Sequence, residues 1–224
     1  MKNIAGLDLS LTGSGVIVLD DAGKTLLRQT IKTIPSTPYR QRLVYIADTL
    51  CVMLKPFDLD AIVSESPALF NNPAVKHMCE VHGAVNYAME KAGLPTPLGV
   101  TASTLKKFAT GRGLGDKGDI KMWVLDKWGE KFSDNNQSDA YVSARIAGVV
   151  SGAFKMTSRH EGECLKTILN GAGREIEAKA VRLTKKDDRV CACGKKMKTG
   201  IEMESGRCAD CIRKAPTTEG GAAQ

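Results

Sequence analysis

The stretch GLDLSLTGSGVIVLD, residues 6–20, carries most of two apolar runs, 4–9 and 15–19, separated by a Ser/Thr/Gly turn at 10–14. Short apolar runs bounded by turn residues read as buried strands. DDAGK at 20–24 is a second turn signal, and a third strand follows at 25–32. Three strands joined by short turns make an antiparallel meander. Within the first of them Asp8 is out of place, because a carboxylate in a buried strand is costly unless it is paired or binds a metal.

Downstream the period changes. Leu43, Ile46, Leu50 and Leu54 mark one face of a helix that Pro56 ends. DAIVSE at 60–65 reads as a compact strand. Asn72 and Pro73 suit the cap and first position of a helix running to about residue 91, with Gly93 as its stop. A short strand at 97–100 leads to Thr101, which suits the cap of the next helix. After a glycine-rich loop at 111–115 come helices at about 117–128, capped by Asp116, and 136–150. A last helix spans 158–169, where Ser158 and Glu161 fit a capping box. Strands and helices in this order describe an α/β fold, a mixed five-stranded sheet with helices on both faces.

Composition supports a folded chain. Its 224 residues amount to about one and a half domains, and 42% hydrophobic with 25% charged residues is ordinary for a globular protein. No apolar run reaches the ~18 residues of a membrane-spanning helix. Asp8 breaks the only candidate signal-peptide core, so a cytoplasmic location is expected. The net charge of +7 favours nucleic acid as a partner. It is unevenly spread: residues 1–154 hold 17 basic and 15 acidic residues, and 155–224 hold 15 and 10.

Four of the seven cysteines, Cys191, Cys193, Cys208 and Cys211, form a C-x-C and a C-x-x-C pair separated by fourteen residues. Two close pairs around a short loop suit tetrahedral thiolate coordination of Zn²⁺. Disulfides, disfavoured in an intracellular chain, and inert thiols are the alternatives. So small a segment buries too little apolar surface to fold without metal. The expected organisation is a core at 1–152, a helical extension and basic linker at 153–187, a zinc-ribbon-like segment at 188–214 and a disordered tail at 215–224.

Besides Asp8, Glu65 ends an apolar strand and Asp139 stands near the start of an apolar helix. Singly, each has a structural explanation, and an acid early in a helix also favours the helix dipole. Together they supply hard oxygen ligands suited to Mg²⁺ or Mn²⁺. Two such ions about 4 Å apart can clamp a phosphodiester during attack by water. The three histidines, His77, His82 and His160, form no metal or triad pattern. His82 shares a helix face with Val75, Met78 and Met89, as a core or interface residue would.

Four motifs in order carry a resemblance to the RuvC-type Holliday junction resolvases, within the ribonuclease H-like nucleases. They are GLDLSLTGSGVIVLD (6–20), IVSESP (62–67), TLKKFATGRGLGDK (104–117) and DNNQSDA (134–140). The Asp-Leu-Ser-Leu-Thr form of the first looks most like the bacteriophage branch. The resemblance covers residues 1–152 and implies a ribonuclease H-like sheet. By position it makes Asp8, Glu65 and Asp139 catalytic ligands of Mg²⁺ or Mn²⁺, two ions per site. The family's fourth carboxylate falls on Asn136, which leaves a weaker second ion or a role for Asp134. Lys106 and Lys117 match basic positions near the DNA backbone. Their neighbours Lys107 and Arg112 suit the same role; for all four the alternative is a solvated helix face and loop. In the family the helix at 73–91 helps form a homodimer interface, where Gly83 would allow close approach.

The resemblance thus implies a homodimeric, metal-dependent endonuclease cutting four-way junctions, or else forks, flaps or other branched DNA, with no membrane partner and no nucleotide cofactor. An actin-like ATPase or sugar kinase also opens with a strand, an Asp and a Gly/Thr hairpin, but needs a duplicated domain that the chain lacks. A DNA-binding protein with a decayed nuclease site is the other rival, motivated by Asn136.

Overall fold

The computed structural model describes residues 2–67, 73–111 and 117–171. Strands β1 (Asn3–Asp8), β2 (Gly13–Leu19) and β3 (Thr25–Lys32) form the expected meander. They are followed by α1 (Tyr39–Leu54), β4 (Leu59–Glu65), α2 (Pro73–Lys91) and β5 (Leu98–Val100). Four helices close the described chain: α3 (Ala102–Thr110), α4 (Lys117–Trp128), α5 (Asn135–Ser151) and α6 (Arg159–Gly171). The sheet order is β3-β2-β1-β4-β5. The pairs β1–β2 and β2–β3 are antiparallel, while β1–β4 and β4–β5 are parallel. A mixed five-stranded sheet with helices on both faces is therefore what the chain forms.

β2 starts two residues earlier than its apolar run suggests, because two serines build the turn before it. Ser10 Oγ donates to the Gly13 carbonyl at 2.8 Å and accepts from the Gly13 amide at 3.0 Å. Ser14 Oγ donates to the Ser10 carbonyl at 2.8 Å and accepts from the Ser10 amide at 3.0 Å. With these polar groups satisfied, Ser14 is fully buried at no hydrogen-bonding cost. Arg42 of α1, also buried, braces the hairpin by donating to Leu11 O and Thr33 Oγ1, each at 2.9 Å.

Alternation along the strands divides the core into two layers. Ala5, Leu7, Val16, Val18 and Ile62 pack with Ile46, Leu50 and Leu54 of α1 and with Val81, Val85 and Met89 of α2. Ile4, Ile17, Leu19 and Val63 face the opposite way, toward α5. Cys164, Leu165 and Ile168 of α6 belong to that second cluster together with Leu105, Phe108 and Ala109 of α3. The chain divides into two units, Met1–Val181 and Arg182–Gln224, and every described element belongs to the first.

α5 lies directly on the sheet. A Cβ at Gly6 would stand 2.0 Å from Ala140 O and 2.1 Å from Ala144 N; one at Gly15 would stand 2.1 Å from Asn136 O. Only glycine lets the helix backbone come this close. The start of α5 is thereby pressed onto the ends of β1 and β2 where Asp8 and Gly15 are paired.

Candidate active site

Asp8 is the last residue of β1 and Glu65 the last of β4. The register pairs Leu7 with Ser64, so the two acids fall at the next rung of neighbouring parallel strands, which lie about 4.8 Å apart. Gly6 and Val63 face α5, and two residues on Asp8 and Glu65 share that face. Asp139 stands in α5 next to Ala140, whose carbonyl rests on Gly6. All three carboxylates are half-buried. The carboxyl-terminal edge of a parallel strand pair is where α/β folds place their ligands.

Asn136 reaches the same level. Its carbonyl covers Gly15, the partner of Asp8, and its Nδ2 comes within 2.9 Å of a Cβ built on Gly13. Asp134 has other work. Its Oδ1 accepts from the Asn136 amide at 2.9 Å, capping α5, and its Oδ2 accepts from Thr30 Oγ1 of β3 at 2.7 Å. Thr30 Oγ1 in turn accepts from Gln137 Nε2 at 2.9 Å. Asp134 therefore anchors the helix start that carries Asn136 and Asp139.

The donor set of Asp8, Glu65 and Asp139, with the Asn136 amide oxygen, is all hard oxygen, and its chemistry fits Mg²⁺ or Mn²⁺. Among the described residues, no three His, Cys, Asp or Glu side chains are gathered as ligands of one ion.

Among the basic residues, Lys106 and Lys107 lie in α3. Thr101 caps this helix, accepting from the Thr104 amide at 3.3 Å, as the sequence suggests. α3 begins right after β5, where Val100 pairs with Glu65, so it starts at the carboxylate edge. Lys106 is half-buried. Lys107 instead pairs with Glu163 of α6 at 3.0 Å, a partner 56 positions away that its local sequence does not signal. Lys117 is the first residue of α4. Arg112, Asp116, Asn72, Cys191, Cys193, Cys208 and Cys211 lie outside the described residues.

Glu161 departs from the expected capping box. The Glu161 amide donates to Ser158 Oγ at 3.4 Å, but its carboxylate goes to Thr157 and to Lys127 of α4. Burial raises its pKa; the hydrogen bonds from Lys127 and Thr157 and the Lys127 charge outweigh this and hold it below the ordinary value. His82 is half-buried as anticipated, and burial lowers its pKa.

No protein-family model matches the chain, and no curated protein does. Among solved structures it is similar to RuvC of Thermus thermophilus, with 24% identity and a TM-score of 0.56, over 63% of this chain and 90% of that one. The structure of T. thermophilus RuvC in complex with a Holliday junction substrate matches at 21% identity and a TM-score of 0.56, over 64% of this chain and 90% of that one. The chain has a RuvC-like fold.

Proposed function

We propose that this protein is a divalent-metal-dependent endonuclease that cuts branched DNA, with the four-way junction as its principal substrate. The observation that carries the reading is the placement of Asp8 and Glu65 at the ends of adjacent parallel strands, beneath the α5 segment that bears Asp139. A RuvC-like fold supports it, as does the junction bound in one of the similar structures. Asp8, Glu65 and Asp139 would supply the carboxylate ligands of Mg²⁺ or Mn²⁺, and Asn136 would contribute an uncharged oxygen. The ions supply Lewis acidity for phosphodiester hydrolysis. Water oxygen bonds to phosphorus, the bond to the 3′-oxygen breaks, and the water proton ends on that oxygen, leaving a 5′-phosphate and a 3′-hydroxyl. Lys106, with Arg112 and Lys117 near it in sequence, supplies salt-sensitive backbone contacts. Branched DNA is read by shape and backbone, so few base contacts are required.

A four-way junction is cut in two strands, which calls for two active sites and hence a homodimer. The face formed by α1 and α2 suits a second copy. It carries a groove of about 760 Å³ lined by Leu43, Val44, Ala47, Val52, Ala84 and Tyr87, and Val52 and Tyr87 are about 70% exposed. Cys191, Cys193, Cys208 and Cys211 hold a structural Zn²⁺ that stabilises a basic annex.

Synthetic four-way junction, fork and linear duplex, incubated with Mg²⁺ or with chelator, test the reading. Symmetrical cuts in the junction, abolished by chelator and lowered roughly a thousandfold by Asp8→Asn, are expected. Absence of metal-dependent cleavage of any branched DNA defeats the enzyme reading, and cleavage of forks alone reassigns the substrate. Bound zinc in the native protein, falling in Cys208→Ser, is the expected result for the annex.

A further inference from the structure

Helix α6 lies beyond residue 152, where the resemblance to the nuclease family ends, yet it carries a buried charge. Glu161 is 3% exposed. Its Oε1 accepts from Lys127 Nζ at 2.6 Å and from Thr157 Oγ1 at 2.9 Å, and its Oε2 accepts from the Thr157 amide at 2.6 Å. Lys127 belongs to α4. The same ammonium also donates to Phe108 O, in the last turn of α3, at 3.3 Å. It stands 5.4 Å from the Phe108 ring centroid and 4.7 Å from that of Trp128. One cation therefore joins α3, α4 and α6. Further contacts bring α6 to α3: the Lys107–Glu163 pair, the Cys164 Sγ that donates to Thr104 O at 3.7 Å, and the His160 ring, 3.5 Å from a Cβ built on Gly111 at the end of α3.

The apolar contacts of Cys164, Leu165 and Ile168 with Leu105 and Phe108 already hold α6 against α3. Burying an ion pair is a poor way to add stability, because desolvation offsets most of the attraction and apolar residues of similar volume often do as well. What apolar packing lacks is direction. Hydrogen bonds from one ammonium to a carboxylate and to a carbonyl at the end of α3 allow a single alignment of that helix.

We infer that the Glu161–Lys127 pair is a positioning element that aligns α3, and Lys106 on it, with the DNA backbone at the carboxylate edge. The inference rests on the reading of α3 as a DNA-contacting helix. Neither Glu161 nor Lys127 meets the DNA; both act through α3.

The test compares the full-length protein with Lys127→Met/Glu161→Met and with Glu161→Gln. Melting temperature, affinity for a synthetic four-way junction in chelator, turnover at saturating junction in Mg²⁺, and hydrogen exchange of the amides of residues 105–111 are measured. The double variant is expected to melt close to the parent and to turn over at the parental rate. It should bind the junction about tenfold more weakly, with faster exchange in α3 and unchanged exchange in β1 and β4. Glu161→Gln shifts binding and α3 exchange in the same direction, and it decides the matter if the double variant does not fold. Parental affinity and parental α3 exchange overturn the inference, as does faster exchange spread evenly over the sheet, which marks general destabilisation. If the parent itself binds no branched DNA, the proposed function fails, and unchanged α3 exchange still overturns the alignment role on its own.

Discussion

A methyl group at position 6 would stand 2.0 Å from the Ala140 carbonyl oxygen and 2.1 Å from the Ala144 amide nitrogen. Both are backbone atoms of a helix whose opposite contacts are fixed, so neither yields cheaply. Gly6→Ala should therefore cost about 3 kcal/mol in denaturant unfolding. It should also depress cleavage of branched DNA beyond what the lost stability explains, because α5 carries Asp139 away from Asp8 and Glu65. Parental stability in Gly6→Ala contradicts this packing. Asn136 offers the reverse experiment, a gain. Its backbone covers Gly15, opposite Asp8, so a carboxylate there adds negative charge to the same edge. Asn136→Asp is expected to lower the Mg²⁺ concentration for half-maximal cleavage roughly tenfold. An unchanged metal dependence means that this side chain lies apart from the ions.

Among the elements, α6 has the clearest dependence on pH. The Lys127 and Thr157 hydrogen bonds hold the Glu161 carboxyl below its ordinary pKa of 4.5 despite burial. A folded-state pKa below the unfolded one means that the ionised form stabilises the fold. That contribution is complete above about pH 5 and is lost as pH falls through the depressed folded value. Burial likewise lowers the pKa of His82 from 6.5, and its buried Nε2 has no hydrogen-bond partner among the described residues. Charging it opposes folding as pH drops below 6.5, so the two groups act in the same direction. The melting temperature of the parent should fall more steeply than that of Glu161→Gln, whose amide does not titrate, as pH drops below about 5. Parallel curves for the two proteins contradict the role given to the ionised carboxylate. Sequence alone places the capping signals of this helix correctly but misassigns Glu161's carboxylate. Lys127 lies 34 positions upstream, and only helix packing brings it near.

For the whole molecule, the apolar face of α1 and α2 is one of the surfaces that the described residues leave exposed. Val44, Val52 and Tyr87 are 59%, 72% and 69% exposed, apolar surface that the proposed second copy would cover. With the second copy seated there, Tyr87→Glu should convert a dimer into a monomer in sedimentation. The monomer should keep its fold and nick junctions in one strand without coordinated paired cutting. A parent that sediments as a monomer at micromolar concentration refutes the dimer.

The reach of the sequence is clearest where a residue violates its surroundings. Asp8 and Glu65 stand out because carboxylates in apolar strands demand compensation, and that anomaly needs no coordinates to be noticed. The meander, the helix faces and the Thr101 cap were legible for a related reason: they depend on neighbours within a few positions. Tertiary structure alone decided that β4 lies beside β1 with Leu7 against Ser64, that α5 rests on Gly6 and Gly15, and that Asp134 is a cap tied to Thr30. It also assigned Lys107 to Glu163 and Lys127 to Glu161. The physical reason is range: burial and turn chemistry are written into adjacent residues, whereas hydrogen bonds and ion pairs across 34 to 104 positions form only once the sheet and its helices have packed.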